Sequence, residues 1–215
     1  MKTGSMAVFV TLIFAASGAF AQSPAATRKF YVGVQVGQST LDRQTSDLSA
    51  NFDDHDVAYS LLAGYRFSRF YALELGYNDL GGFSAEFPNT CPAAPSCPPD
   101  IGNTALKSLV LNNVLVWPIA EHFHLKGTIG MNFYEVSGSL RHEASGTSID
   151  FSDKNGSFNF GLGIGVPINE HLELGLDLTA FRAMTVEFGF LGGEEFDQVY
   201  ETDATLLTLG ARYRF

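Results

Sequence analysis

The chain has 215 residues, is 46% hydrophobic and 13% aromatic, and carries 13 Lys and Arg against 23 Asp and Glu, a formal net charge of −10 at pH 7. That balance argues against nucleic acid as a partner, since a polyanion needs a basic face. Beyond the N-terminus, no run approaches the roughly 18 consecutive apolar residues of a membrane helix. The apolar content is instead dispersed at period two, the spacing of strands with one greasy face.

Lys2 precedes an apolar run from Met6 to Ala16 that leads into Ser17-Gly-Ala-Phe-Ala21. This reads as a secretory signal peptide over 1–21, because the run is too short to span and Ala19-Phe20-Ala21 has the small-x-small cleavage pattern. Cleavage before Gln22 removes Lys2, leaving 12 basic against 23 acidic residues, or −11. A short segment, 22–28, then precedes one domain over 29–215.

Eight alternating segments follow, at 29–40, 56–67, 70–80, 104–117, 122–137, 154–166, 171–183 and 203–215. Each can cross a bilayer when tilted, which takes about 9–11 residues. Ser68-Arg69, Pro118-Ile-Ala-Glu121 and Pro167-Ile-Asn-Glu170 read as tight turns, and the other four connections as polar loops of roughly 13 to 25 residues. Asn112-Asn113 breaks the alternation of the fourth segment, so Lys107 gets no face. In Phe158-Asn-Phe-Gly-Leu-Gly-Ile-Gly-Val166 the large residues face one way and Asn159, Gly161, Gly163 and Gly165 the other. The last segment puts Leu207, Leu209, Ala211, Tyr213 and Phe215 on one face and Thr208, Gly210, Arg212 and Arg214 on the other. An apolar strand ending on an aromatic suits the C-terminal assembly signal of an outer-membrane barrel, here Leu209, Ala211, Tyr213 and Phe215.

The predicted fold is all-β, an eight-stranded antiparallel up-and-down transmembrane β-barrel. Even strand number and alternating short and long connections are the outer-membrane arrangement. Backbone groups in hydrocarbon must be bonded, so the sheet must close, pairing the strand of Phe215 with the strand that starts at Lys29. The expected location is the outer membrane, with termini and tight turns periplasmic. The expected partners are outer-membrane lipid and lipopolysaccharide, the barrel-assembly machinery, and surface partners met through the loops, around a monomer.

Gly64-Tyr-Arg-Phe-Ser-Arg-Phe-Tyr-Ala-Leu-Glu-Leu-Gly-Tyr-Asn-Asp-Leu-Gly81 resembles the second-to-third-strand hairpin of OmpA-type transmembrane domains. Leu209-Gly-Ala-Arg-Tyr-Arg-Phe215 is similar to their last strand and Phe30-Tyr-Val-Gly-Val-Gln-Val-Gly37 to their first. These short motifs are shared with opacity-type and other small porin-like barrels. The resemblance implies a plug of inward charged side chains, with Glu74 and Asp177 as the matching acids. The family's arginine two residues before the second acid is replaced by Gly175.

Alternation alone turns Glu74, Lys126, Glu173, Asp177 and Arg212 inward, with Glu74, Lys126 and Arg212 at similar depth. Unpaired charges in a narrow lumen cost several kcal/mol each, so a buried ion network is expected. The glycines at 161, 163 and 165 make room for longer side chains of neighbouring strands rather than for a nucleotide, since no helix follows them. No cofactor or metal is expected, although Asp53, Asp54 and Asp56 offer clustered carboxylates that a hard cation would accept. Cys91 and Cys97, in a proline-rich loop of an exported chain, are expected to form a disulfide. Tyr65, Phe67, Phe70, Tyr71, Trp117, Phe123 and Phe215 read as an interfacial girdle at the turn end, with Tyr77, Phe181 and Phe188 at the other.

No catalytic residues are assigned. A lipid A-modifying barrel would place histidine, serine and an acid at the outer rim, but His122, His124 and His171 fall at the tight turns, leaving His55 and His142. The leading function is a structural or surface-interaction barrel with a charge-plugged lumen. The alternatives are a narrow channel for small or apolar solutes, a lipid A-modifying enzyme, and a soluble eight-stranded carrier with apolar residues inside.

Overall fold

The computed structural model describes residues 29–43, 51–53, 55–87, 100–142, 147–188 and 198–215. These residues form strands and turns and no helix: β1 (Phe30–Arg43), β2 (Asn51–Asp53), β3 (His55–Arg66), β4 (Tyr71–Phe87), β5 (Asp100–Ala120), β6 (Phe123–His142), β7 (Thr147–Pro167), β8 (Leu172–Phe188) and β9 (Gln198–Arg214). The order round the wall is β4, β3, β1, β9, β8, β7, β6, β5 and back to β4, every neighbour antiparallel. The three residues of β2 pair with β4 beyond the end of β3, so they continue its place and the circuit is eight strands wide. The seam joins first and last strands from Tyr31↔Arg214 to Arg43↔Thr202, and the Phe215 N–H donates to the Phe30 carbonyl at 3.0 Å.

Both described termini lie at the end with the tight turns. The Asn169 side chain accepts from the N–H groups of His171 and Leu172, both at 2.8 Å, which fixes the turn into β8. Pro118 is not in a turn as expected. Strand β5 runs on to Ala120 through an irregularity at Pro118, where a missing N–H costs least.

The other end departs further from the sequence reading, because much of what reads as loop is strand. Pairing continues to Phe87↔Asp100, His142↔Thr147 and Phe188↔Gln198. Outside hydrocarbon a hairpin needs no apolar alternation, only ladder bonds and compatible polar pairs. Glu135, Ser137 and Ser139 face Lys154, Ser152 and Asp150 in register, and Lys154 Nζ lies 3.3 Å from Glu135 Oε2. The 20 residues of β6, at ~3.3 Å each and a tilt near 40°, rise about 50 Å, twice the apolar band of an outer membrane.

A row of charge marks where the wall changes character. Asp79 pairs with Lys107, Lys107 with Glu135, and Glu135 with Lys154, giving alternating signs across four strands on the outer face. Toward the turn end along those strands come Tyr77, Leu109, Phe133 and, past Gly156, Phe158, all exposed on an outer surface of large apolar side chains. There the interior carries the charged and amide side chains, with one apolar cluster of Tyr31, Leu62, Ala72, Val114 and Val116 beside them. At the row and beyond it the arrangement inverts: Asn103, Asp150 and Ser152 are exposed outside, and the interior is apolar. Leu41 of β1, Ala58 of β3, Leu80 and Phe83 of β4, and Leu106 of β5 form one cluster with Tyr134 and Val136 of β6, Phe181 of β8 and Leu206 of β9, and Phe151 of β7 packs against it. Every wall strand contributes.

Phe181 corrects the expected girdle, for it is fully buried in that core instead of facing lipid. It shares the inward parity of Glu173 and Asp177. Tyr77 is outward and exposed, whereas the side chain of Phe188 lies outside the described residues. Asn112 points inward, and Asn113 takes the outer face, accepting from the Tyr71 hydroxyl at 2.7 Å. Lys107 is thereby placed outside.

Candidate functional site

The polar half of the lumen is organised around Arg212, on β9 and buried. Its Nη2 lies 2.7 Å from Asp177 Oδ2 on β8, its Nε 3.7 Å from Glu74 Oε1 on β4, and its Nη1 3.8 Å from Glu173 Oε1 on β8. Lys126, buried on β6, holds the other Asp177 oxygen at 2.7 Å. All five residues singled out from the sequence meet in this cluster. Buried charge persists only when paired and bonded, and each carboxylate here has two or more partners.

Strict alternation also supplies members that residue type alone passed over. The Tyr31 hydroxyl donates to Glu74 Oε1 at 2.7 Å, and Gln35 Nε2 donates to Asp177 Oδ2 at 2.6 Å. Glu173 is further enclosed by Arg214, by Arg66 Nη2 at 4.0 Å and by His124 Nε2 at 3.2 Å. His124 therefore corrects the turn assignment: β6 begins at Phe123, and parity with Lys126 sends the imidazole inward. Tyr31 carries no role in the sequence reading, although its place one residue from the exposed Phe30 puts it on the inward face.

Glycines make the cluster fit. A Cβ on Gly163 would strike the Asp177 carboxylate, one on Gly165 the His124 ring, and one on Gly175 the Arg212 guanidinium. Gly175 thus leaves room for Arg212, which reaches Asp177 from β9.

Strands β5 and β7 complete the ring with amides: Asn159 Nδ2 donates to Asn112 Oδ1 at 2.8 Å. A second set runs Ser60 Oγ to Asn78 Oδ1 at 2.7 Å and Asn78 Nδ2 to Ser108 Oγ at 3.1 Å. Beside these layers lies a cavity of about 50 Å³ lined by Lys126, Arg212 and Asp177 and also by Val110, Phe181 and Leu206. That is room for a few waters.

Among the described residues, no other candidate group joins a second cluster. Asp56 spends its carboxylate on the N–H groups of Val57 at 2.7 Å and Gly82 at 2.5 Å, while the side chains of Asp53 and Asp54 lie outside the described residues. Cys91, Cys97, the 1–28 segment and the His142 side chain lie outside them too. His171 holds the Arg214 carbonyl at 3.1 Å and stacks on Tyr213. Leu209, Tyr213 and Phe215 are exposed on the outer face of the seam strand, with Ala211 half-buried on that same face.

A closed antiparallel eight-stranded wall, apolar outside and charged within, defines the small outer-membrane β-barrels. The sequence model of the OmpA-like transmembrane domain matches residues 25–215, and the chain belongs to that family. A search of curated protein sequences gives no match. Among solved structures, the chain resembles the outer membrane protein OprG of Pseudomonas aeruginosa at 15% identity and a TM-score of 0.55, over 87% of this chain and 97% of that one. It resembles Neisserial surface protein A at 13% and 0.54, over 86% and 97%. The attachment invasion locus protein Ail of Yersinia pestis matches at 14% and 0.52, over 87% and 99%. At such identity these likenesses speak for the fold alone.

Proposed function

We propose that this chain is a structural and surface-presenting outer-membrane barrel whose lumen is plugged by charge. One observation carries the reading: the Arg212 cluster draws side chains from β1, β3, β4, β6, β8 and β9 into one layer of ion pairs and hydrogen bonds across the lumen. A layer with that many shared partners fixes the packing of the wall and leaves no continuous file of water. The barrel acts without catalysis, as a monomer, in contact with outer-membrane lipid and lipopolysaccharide. Its termini and tight turns face the periplasm, the outer face of β9 addresses the assembly machinery, and the long acidic hairpins meet partners at the cell surface. Cys91 and Cys97 close one of those hairpins as a disulfide.

Planar-bilayer recording of the folded protein tests the plug. Silence at the single-channel level is expected, and steady conductance would transfer the leading function to transport of small solutes.

A further inference from the structure

The charged cluster is not the only closure. From the row Asp79, Lys107, Glu135, Lys154 toward the loop end, the interior is a packed apolar core to which all eight wall strands contribute. Phe181 and Leu80 are fully buried in it, and Leu106 and Val136 nearly so. Such a core has no place in a water-filled pore. Its outer surface is polar at the same level, so this half is built as a soluble β-sandwich is built, with burial as its driving force. Beside the two layers sits the small cavity, lined by Arg212 and also by Phe181.

The geometry points to two seals in series: a charged one within the membrane-facing half of the barrel, and an apolar one at and beyond its loop-side margin, each sufficient to stop ions. The chemistry of the two differs. An ion crossing the charged layer must displace paired groups, whereas one entering the apolar core must shed its water with nothing to replace it. Breaking the ion pairs therefore leaves the barrel closed. This inference rests on the closed-lumen reading above and extends it.

Conductance of four full-length proteins in planar bilayers tests it: the wild type, Glu74→Ala with Arg212→Ala, Phe181→Ser with Leu106→Ser, and all four changes together. Heat-modified migration in gels reports the folded fraction of each. Silence is expected from the wild type and from both pairs, with ion flux rising at least tenfold only when the pairs are combined. Conductance from the charged pair alone would overturn the apolar seal while leaving the charge plug intact. Conductance from the apolar pair alone would show a single seal, overturning the series. A silent but folded quadruple variant would also overturn it, and a conducting wild type would remove the closed-lumen reading itself. Should the apolar pair fail to fold, the charged pair still decides: silence supports the second seal and conductance refutes it.

Discussion

Gly37 shows how a single missing methyl group lets the wall close. It lies on the inward parity of β1, opposite Thr208 of β9, at the seam that joins the ends of the sheet. A Cβ there would land on the backbone carbonyl of Leu207, which no rotamer change can clear. At Gly156 the nearest atoms to a built Cβ are 3.8 and 3.9 Å away, ordinary contact distances. Gly37→Ala is accordingly expected to destabilise the folded barrel by about 1–3 kcal/mol, the usual cost of forced overpacking. Gly156→Ala should stay within about 0.5 kcal/mol of wild type. Urea titrations from lipid vesicles would compare them, and equal midpoints would mean that the seam tolerates a displaced strand.

Among the elements, β4 to β7 carry the boundary between lipid-facing and water-facing wall. Their shared row of Asp79, Lys107, Glu135 and Lys154 pairs opposite signs directly across strands, which suits a position just outside hydrocarbon, where charge is tolerated and pairing is worth a few tenths of a kcal/mol. With the native Trp117 replaced by Phe, a tryptophan at Leu109 should be quenched by bromine on lipid acyl chains, and one at Ser152 should not. Equal quenching at both sites would move the boundary away from the charged row.

The same boundary explains what was legible in the sequence. Strand centres and inward faces could be read wherever lipid forces strict alternation, so Glu74, Lys126, Glu173, Asp177 and Arg212 were placed without a structure. Beyond the row the interior is itself apolar, and chemical type no longer tells inside from outside. Phe181 reads as a girdle aromatic for that reason, and the polar stretch 138–153 reads as a loop. His124 reads as a turn residue because the strand begins only one residue before it, after a turn of Glu121 and His122. Which cation meets which acid depends on the stagger between strands, as when Arg212 reaches Glu74 across the lumen, and a single strand's sequence does not contain it.

For the whole molecule, the inversion sets how it sits in a bilayer. On β7 the outward apolar residues run from Phe158 to Val166, with Ile168 exposed in the turn beyond. Ten steps at ~3.3 Å with a tilt near 40° give a height of about 25 Å, the band of an outer membrane. Beyond the row the described exterior of β5 and β7 carries Asn103, Asp150 and Ser152, so a thicker bilayer would have to bury Lys107, Glu135 and Lys154, and the protein cannot slide to meet it. Mismatch costs fractions of a kcal/mol per Å, and the charged row adds to that on one side. Folding yield from urea into vesicles is therefore expected to peak where the hydrocarbon is near 25 Å and to fall steeply in thicker bilayers. Changing Lys107, Glu135 and Lys154 together to leucine should flatten that fall by extending the apolar surface. If the triple variant showed the same thickness dependence as wild type, the limit would lie elsewhere in the wall, and the charged row would mark a water-exposed sheet without setting the depth of insertion.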